Sequence, residues 1–453
     1  MGDTLARNLR RTLAGALLGM GLHAAPVAAI DLLRSYELAL INDGQLKVAR
    51  ARADQGREAL PQATAQLLPN VSGSAAYGHT DQVRTLNGIG DAQNYPSTSG
   101  TLQVRQPLFR LGLLSQYAEA RSKVAGTEAQ LDKDTQSAGV RVTNAYFDAL
   151  FSRDSLALIQ AQKTSYEAQL RAARLAFRAG TGTRTDIDDI QARYDLLLAD
   201  EIQARQAIEA STQQLEIYVG ERVRTMSTLD SDAFRADEHD PVSLDKWVAA
   251  AMETNPDVRA LKARYDAAQA AVDTATAGHF PTFDLLAQLA ESKGDSTNSL
   301  PRTDNRTMYI GVQVAVPIFS GGYVTSQQRQ ATAAAEEARQ AYDYARDDLR
   351  LQVKRQFDAL KAGISRVAAL EVAMRSGDQM VLSNEKGVQA GTRTVLDVLI
   401  AEQQRFNTRI ELAKARYQIL VAWATLQSYV GELNTEQVAR MNRVLRAPPP
   451  MAM

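Results

Sequence analysis

Two periods of apolar residues alternate along this chain. Ala334, Ala338, Ala341, Ala345, Leu349, Val353, Phe357, Leu360, Ile364 and Val367 step by three or four, which keeps them on one stripe of a helix. Glu336, Arg339, Asp343, Arg346, Asp347 and Arg350 fall on the other side. The tract from 124 to 170 repeats the pattern, with Val140, Ala145, Phe147, Leu150 and Leu158 as core candidates. Elsewhere the period drops to two. Leu102 and Val104 alternate with Thr101, Gln103 and Arg105; Phe283, Leu285, Ala287 and Leu289 alternate with Asp284 and Gln288; Val312, Val314 and Val316 alternate with Gly311, Gln313 and Ala315. A strand with one apolar and one polar face reads this way. Each half is therefore expected to hold a strand pair, around 71–77 with 103–107 and around 283–289 with 309–316. The polar stretches 79–94 and 291–305 read as exposed hairpin loops.

The helical tracts are long. None of the 13 prolines lies between Pro107 and Pro241 or between Pro317 and Pro448, so each tract contains no obligatory helix breaker. Taken as one helix, residues 112–179 would span on the order of 100 Å, more than a single globule can enclose. The chain also repeats itself. Tyr218, Val219, Gly220 and Glu221 recur as Tyr429, Val430, Gly431 and Glu432, and Phe147, Asp148, Ala149 and Leu150 recur as Phe357, Asp358, Ala359 and Leu360. Pro69 answers Pro281, and Pro107 with Phe109 answers Pro317 with Phe319. A spacing of roughly 210 residues is too long for a solenoid and suits a duplicated half-protein.

Composition narrows the class. There is no Cys, so disulfides, thiolate metal sites and thiol nucleophiles are excluded. Arg7, Arg10 and Arg11 precede an apolar run from 13 to 22, and Val27, Ala28 and Ala29 supply small residues for cleavage, the layout of a secretory signal over residues 1–29. Removing three Arg and one Asp with it moves the formal net charge from −1 to −3, which gives no support to nucleic-acid binding. No later segment is apolar enough to span a bilayer as a helix, so membrane insertion would require a barrel. Four strands cannot close one, since about eight are needed; three copies would supply about twelve. The four histidines, at 23, 79, 239 and 279, are scattered, and no triad or metal cluster is visible, so no enzyme is expected.

With the duplication, the helix-to-strand prolines Pro69 and Pro281, the strand exits Gln106, Pro107, Leu108, Phe109 and Val316, Pro317, Ile318, Phe319, and the turn segment Gly391, Thr392, Arg393, Thr394, Val395, Leu396, Asp397, the chain resembles the TolC family of outer-membrane factors from about residue 32 to 445. The resemblance implies a mainly α fold with a membrane β-barrel. Long coiled-coil helices and two β-hairpins, duplicated, would form a trimeric 12-stranded barrel continuous with an α-helical barrel. Expected divisions are the signal at 1–29, a first repeat at 30–221 with its strand pair at about 70–108, an equatorial connector at 222–245, a second repeat at 246–432 with its strand pair at about 281–318, and a C-terminal equatorial segment and tail at 433–453. The implied role is a passive exit duct of the cell outer membrane with a long periplasmic extension, for efflux of small molecules, type I protein secretion or both. Implied partners are two further copies (a homotrimer), a periplasmic adaptor, an inner-membrane transporter of ABC or RND type and outer-membrane lipid. No cofactor or structural metal is implied. A non-conducting periplasmic scaffold is the alternative, disfavoured by two duplicated hairpins with an apolar face.

The resemblance also assigns residues. Thr185, Asp186, Arg393 and Asp397 match the constriction at the periplasmic entrance, where rings of acids favour cations and Asp186 and Asp397 would carry cation block. Arg393 would bond to Thr185 or Asp186 of a neighbouring helix pair and hold the entrance shut. Asp188 and Asp189 are further entrance acids. Early-turn acids also serve as cap and dipole partners, a plain role these aspartates could fill alone. Ala179, Gly180, Thr181 and Ala390, Gly391, Thr392 match the tips that receive the adaptor. Ile400 stands where the family often has a second ring acid, and Val388 where it often has a tethering Tyr.

Overall fold

The computed structural model describes residues 29–87, 89–294 and 303–446. All but the last residue of the expected leader, and the tail from residue 447, lie outside them. In chain order the elements are α1 (Leu32–Asn42), α2 (Gly44–Arg57), α3 (Ala59–Ala65), β1 (Asn70–Leu86), β2 (Ile89–Phe109), α4 (Leu111–Arg178), α5 (Arg184–Val219) and β3 (Thr228–Leu229). After a 3₁₀ turn at Ala236–His239 come α6 (Leu244–Thr254), α7 (Pro256–Ala277), β4 (Thr282–Gly294), β5 (Thr303–Ala315), α8 (Tyr323–Gln389), α9 (Val395–Tyr429), α10 (Thr435–Asn442) and β6 (Leu445–Arg446). α4 has 68 residues and α8 has 67. At 1.5 Å per residue each is about 100 Å long, as the proline-free tracts require.

Short helices stack end to end beside the long ones. Asn42 at the end of α1 donates from Nδ2 to the Val219 carbonyl at the end of α5, 2.7 Å, so α2 and α3 continue the column that α5 begins. The second repeat builds the same joint: Asn255, which caps α7 through Val258 N, donates to the Tyr429 carbonyl at 2.8 Å, and α7 continues the column of α9. Side by side the columns run α2–α3/α5, then α4, then α7/α9, then α8. At the joints the main core gathers both repeats with the N- and C-terminal segments. Phe147 stacks on Tyr417 at 5.6 Å between ring centres, the Tyr146 hydroxyl donates to the Ser227 carbonyl at 2.9 Å, and Trp247 meets Trp423 edge-on at 5.8 Å. β3, in the 222–245 stretch, pairs with β6.

One four-stranded antiparallel sheet caps the columns, in the order β1-β2-β4-β5. Partners across a ladder share a face. Gly73, Leu102, Leu289 and Met308 thus align, as do Val71, Val104, Ala287 and Ile310, and Phe283 lies opposite Val314. The other face aligns Ser72, Gln103, Gln288 and Tyr309. One face is an apolar band; the other is polar. The duplication extends to register: Asn70 pairs with Arg105, and offsets of 212 (Pro69 to Pro281) and 210 (Pro107 to Pro317) carry that pair onto Thr282 and Ala315, which pair as well.

The expected loop over 79–94 is corrected by the structure. Its residues are strand, paired from His79↔Pro96 to Leu86↔Ile89, and the chain turns at Asn87, whose φ is +50°. Asn-Gly at 87–88 is the dipeptide that two-residue hairpins favour, and among the described residues Pro96 precedes Ser97, where the pairing of β2 with β4 begins, as suits a proline at a ladder's end. The stretch 291–305 is likewise strand to Gly294 and again from Thr303; residues 295–302 lie outside the described residues.

The apolar band sets a depth-dependent expectation. Ile310→Arg, in mid-band, should destabilise the protein in lipid vesicles by about 2–4 kcal/mol, and Val314→Arg, at the band margin, by about 0–1 kcal/mol. Gln313→Arg, on the polar face, should cost least. Urea unfolding in vesicles measures all three, and equal losses for Ile310 and Gln313 would contradict the face assignment.

Candidate entrance tips and gate

Both interhelical turns are built alike. α4 closes with Ala179 and with Gly180 at φ +77°, where Thr181 N donates to the Ala176 carbonyl at 3.0 Å. α8 closes with Ala390 and with Gly391 at φ +72°, where Thr392 N donates to the Gly387 carbonyl at 2.9 Å. The hydroxyls of Thr181 and Thr392 return to the same two carbonyls, each at 3.2 Å. A left-handed residue is needed to reverse the chain here, which accounts for the two glycines. All six tip residues are exposed.

Each following helix opens with a capping box. Thr183 Oγ1 accepts from Asp186 N, and Asp186 Oδ2 accepts from Thr183 N at 3.1 Å and from Thr183 Oγ1 at 2.7 Å. Thr394 and Asp397 repeat this, with both bonds to Asp397 Oδ2 at 2.9 Å. The plain capping role is therefore filled by both acids. In each, Oδ1 has no hydrogen-bond partner among the described residues. Asn384 ties the second tip together by donating to the Asp397 carbonyl at 3.1 Å.

The remaining gate candidates are not joined within one chain. Arg393 is exposed, its stem lies over Gly387, and among the described residues it neither hydrogen-bonds Thr185 nor pairs with Asp186. Asp188 pairs with Arg184 at 3.1 Å on the surface; Asp189 and Thr185 are exposed, as is Ile400, and Val388 is half-buried. What brings the two tips together is apolar: Leu399 and Val395 pack with Tyr166, Leu170, Ile187 and Ile190.

A polar layer above this cluster escaped the sequence reading. Glu402 is buried, and Ser165 Oγ donates to its two oxygens at 2.9 and 3.1 Å. Gln162 reaches Gln403 at 2.9 Å, and Lys163 reaches the buried Glu201 at 2.7 Å. Farther up, Tyr417 donates to Asp154. These bonds tie α4 to α9 and α5. The available signal was Glu402 itself, an acid standing one helical turn from Val398 and Phe406 on an apolar stripe.

The profile of the outer membrane efflux protein family matches residues 35–221 and 247–432, once per repeat. The chain is 32% identical over 412 residues to the alkaline protease secretion protein AprF of Pseudomonas aeruginosa, covering 90% of this chain and 85% of that one. It is 29% identical over 430 residues to the outer membrane protein TolC of Escherichia coli, covering 93% and 86%. Among solved structures it is similar to the outer membrane protein VceC of Vibrio cholerae, with a TM-score of 0.76 at 18% identity over 89% of this chain and 97% of that one.

The cap geometry gives the second tip a pH dependence. The Thr394 backbone N–H, then its hydroxyl, hold the Asp397 carboxyl below the usual carboxylate range; partial burial opposes them and the Arg393 charge adds to them. A depressed folded-state pKa contributes stability above the ordinary value of about 4 and loses it as pH falls through the folded value. Hydrogen-exchange protection of the Asp397 amide should be level at neutral pH and fall in acid, and Asp397→Asn should abolish that dependence. A protection factor independent of pH in the parent protein would contradict it.

Proposed function

The chain belongs to the outer membrane efflux protein family and resides in the outer membrane, and from that premise we propose that three copies close into a passive duct gated at the tips. One observation carries the proposal: both layers of the single chain are open on the same two sides. β1 and β5 are the sheet edges, and the columns continuous with them, α2–α3/α5 and α8, are the outer columns of the helical layer. Exposed large apolar side chains away from the helix ends lie on these outer columns, among them Val48, Leu196, Ile202, Tyr344 and Val372. On the inner columns α4 and α9 they occur only near the ends, as Leu114, Tyr117, Leu175, Phe177, Leu396 and Ile400. Unpaired strand edges cannot remain in lipid, and exposed apolar stripes favour a partner. A head-to-tail contact that repeats three times satisfies both at once.

The internal repeat supplies a register for that contact. β2 meets β4 with Leu102 opposite Leu289 and Val104 opposite Ala287. Carried by the repeat offsets, the same junction between copies sets Val312 opposite Tyr77 and Val314 opposite Ala75, and both pairs keep apolar-face residues together. In such a ring three copies of Asp186 and Asp397 would approach one axis with Oδ1 of each free for a cation, and Arg393 would reach Thr185 or Asp186 of the next copy. The tips Ala179, Gly180, Thr181 and Ala390, Gly391, Thr392, exposed and preorganised, would receive a periplasmic adaptor fed by an inner-membrane translocase. The cargo class favoured is protein leaving by a type I route, since AprF is named for protease secretion.

The chain has no Cys of its own, so engineered pairs report cleanly. Tyr77→Cys with Val312→Cys should oxidise into a covalent ladder ending at the trimer, whereas Tyr77→Cys with Val314→Cys, displaced to Cα separations of about 7–8 Å, should cross-link poorly. Reversed yields would reject the register, and no cross-link from either pair would reject the closure. Asp397→Asn keeps the cap acceptor and removes the charge, so it should weaken block of the channel by hexamminecobalt in planar bilayers; unchanged block would remove Asp397 from the constriction.

A further inference from the structure

The polar face of the sheet carries a single charged layer. Ser72, Ser74, Thr101, Gln103, Gln288 and Thr307 are typical of that face, and among its described side chains the charges are confined to Arg105 and Asp284. Arg110, the residue before α4, joins them. Asp284 is buried, and Arg105 donates to its Oδ2 from Nε at 3.2 Å and from Nη2 at 2.6 Å. Arg110 donates from Nε to Oδ1 at 2.8 Å and from Nη2 to Oδ2. One carboxylate thus holds together two guanidiniums that would otherwise repel, and the layer keeps a net charge of +1.

Binding capacity remains. Nη1 of each arginine has no hydrogen-bond partner among the described residues, and the side chains stay 45% and 27% exposed. Both line one open cavity of about 440 Å³ with Gln66, Asn70, Pro107 and Leu113. α4 begins beside them without a side-chain cap, which adds the positive end of a long helix to the same locality. A staple between strand and helix needs only one cation; the second leaves charge in excess at a desolvation cost.

We propose that Arg105, Asp284 and Arg110 form an oxyanion-binding site, one per copy at the foot of the barrel, that takes a soluble multivalent phosphate-type anion. Arg105 and Arg110 bind it through their outward N–H groups, and Asp284 is the positioning residue that orients both forks. The lumenal placement rests on the trimeric reading above; binding by one chain does not. In the assembled duct the three sites form a basic collar at the opposite end of the helices from the acidic tips, so an anion meets repulsion at the entrance and attraction at the foot of the barrel.

Inorganic tripolyphosphate is the probe. Calorimetric titration of the detergent-purified full chain at low ionic strength should give one tripolyphosphate per chain, and Arg105→Gln should weaken binding about tenfold or more. Asp284→Asn keeps an oxygen acceptor between the two forks and removes the cluster's negative charge, so it should preserve or tighten binding even where it lowers thermal stability. A purely structural cluster would leave affinity unmoved in Arg105→Gln, and that result, or no binding by the parent protein, overturns the proposal. In planar bilayers tripolyphosphate should reduce current in the parent channel and not in Arg105→Gln. Arg105-dependent binding by a protein that forms no channel would sink the trimeric reading and leave the site standing, whereas a conducting trimer indifferent to tripolyphosphate would do the reverse.

Discussion

Unpaired backbone at the edges of a four-stranded sheet is the constraint on which the rest of this structure depends. In water an open edge is tolerable; in a bilayer each unsatisfied N–H and C=O costs several kcal/mol, and a sheet of four strands has two full edges. The chain cannot cure this alone, because its strands are too few to curl shut. Its helices inherit the same defect, since α3 leads into β1 and α8 follows β5, so the open sides of the helical layer lie under the open sides of the sheet. Exposed apolar residues concentrate on those outer columns. One contact, repeated as proposed, would repair both layers, and the duplicated register already shows within the chain what a β2–β4 junction between repeats looks like.

Rigidity is distributed unevenly along the columns. At the joints, aromatic stacking and capping asparagines lock both repeats to the terminal segments. Toward the tips the links between α4 and α9 become a few polar side chains, Ser165, Gln162 and Glu402, over a small apolar cluster. Buried polar ties are strong when every member is bonded and weak once water enters, so they would suit the separation without unfolding that the proposed gate requires. The tips themselves are stiff: glycine reversals and capping boxes leave little local freedom, so movement there would carry whole helix pairs as units.

Much of this was legible in the sequence, for physical reasons that differ by element. The long helices follow from tracts without proline and a stripe of period near 3.6, and α4 at Leu111–Arg178 nearly coincides with the tract read as 112–179. Strand faces follow from strict alternation at Val312 and Val314. Strand ends do not, because polarity alone reads as a loop: His79 and Thr80 pair as strand while carrying the side chains of a connection. At the tips, Thr183 with Asp186 and Thr394 with Asp397 are visible as capping boxes, yet a motif cannot say whether the second carboxylate oxygen serves the helix or an axis. Glu402 stands out on its apolar stripe, but its partner Ser165 does not, and the Arg105–Asp284–Arg110 cluster is illegible because Arg105 and Asp284 lie 179 positions apart in the chain.

The central claim is that the open edges are closed by further copies of the same chain, three in all. The most direct test is the stoichiometry and symmetry of particles extracted in mild detergent, measured by electron cryomicroscopy with native mass as a check. The account predicts a three-fold particle in which β1 of each copy lies beside β5 of the next and twelve strands close without a gap. A particle with a different number of chains, or one in which either edge strand is covered by another part of its own chain, would contradict it.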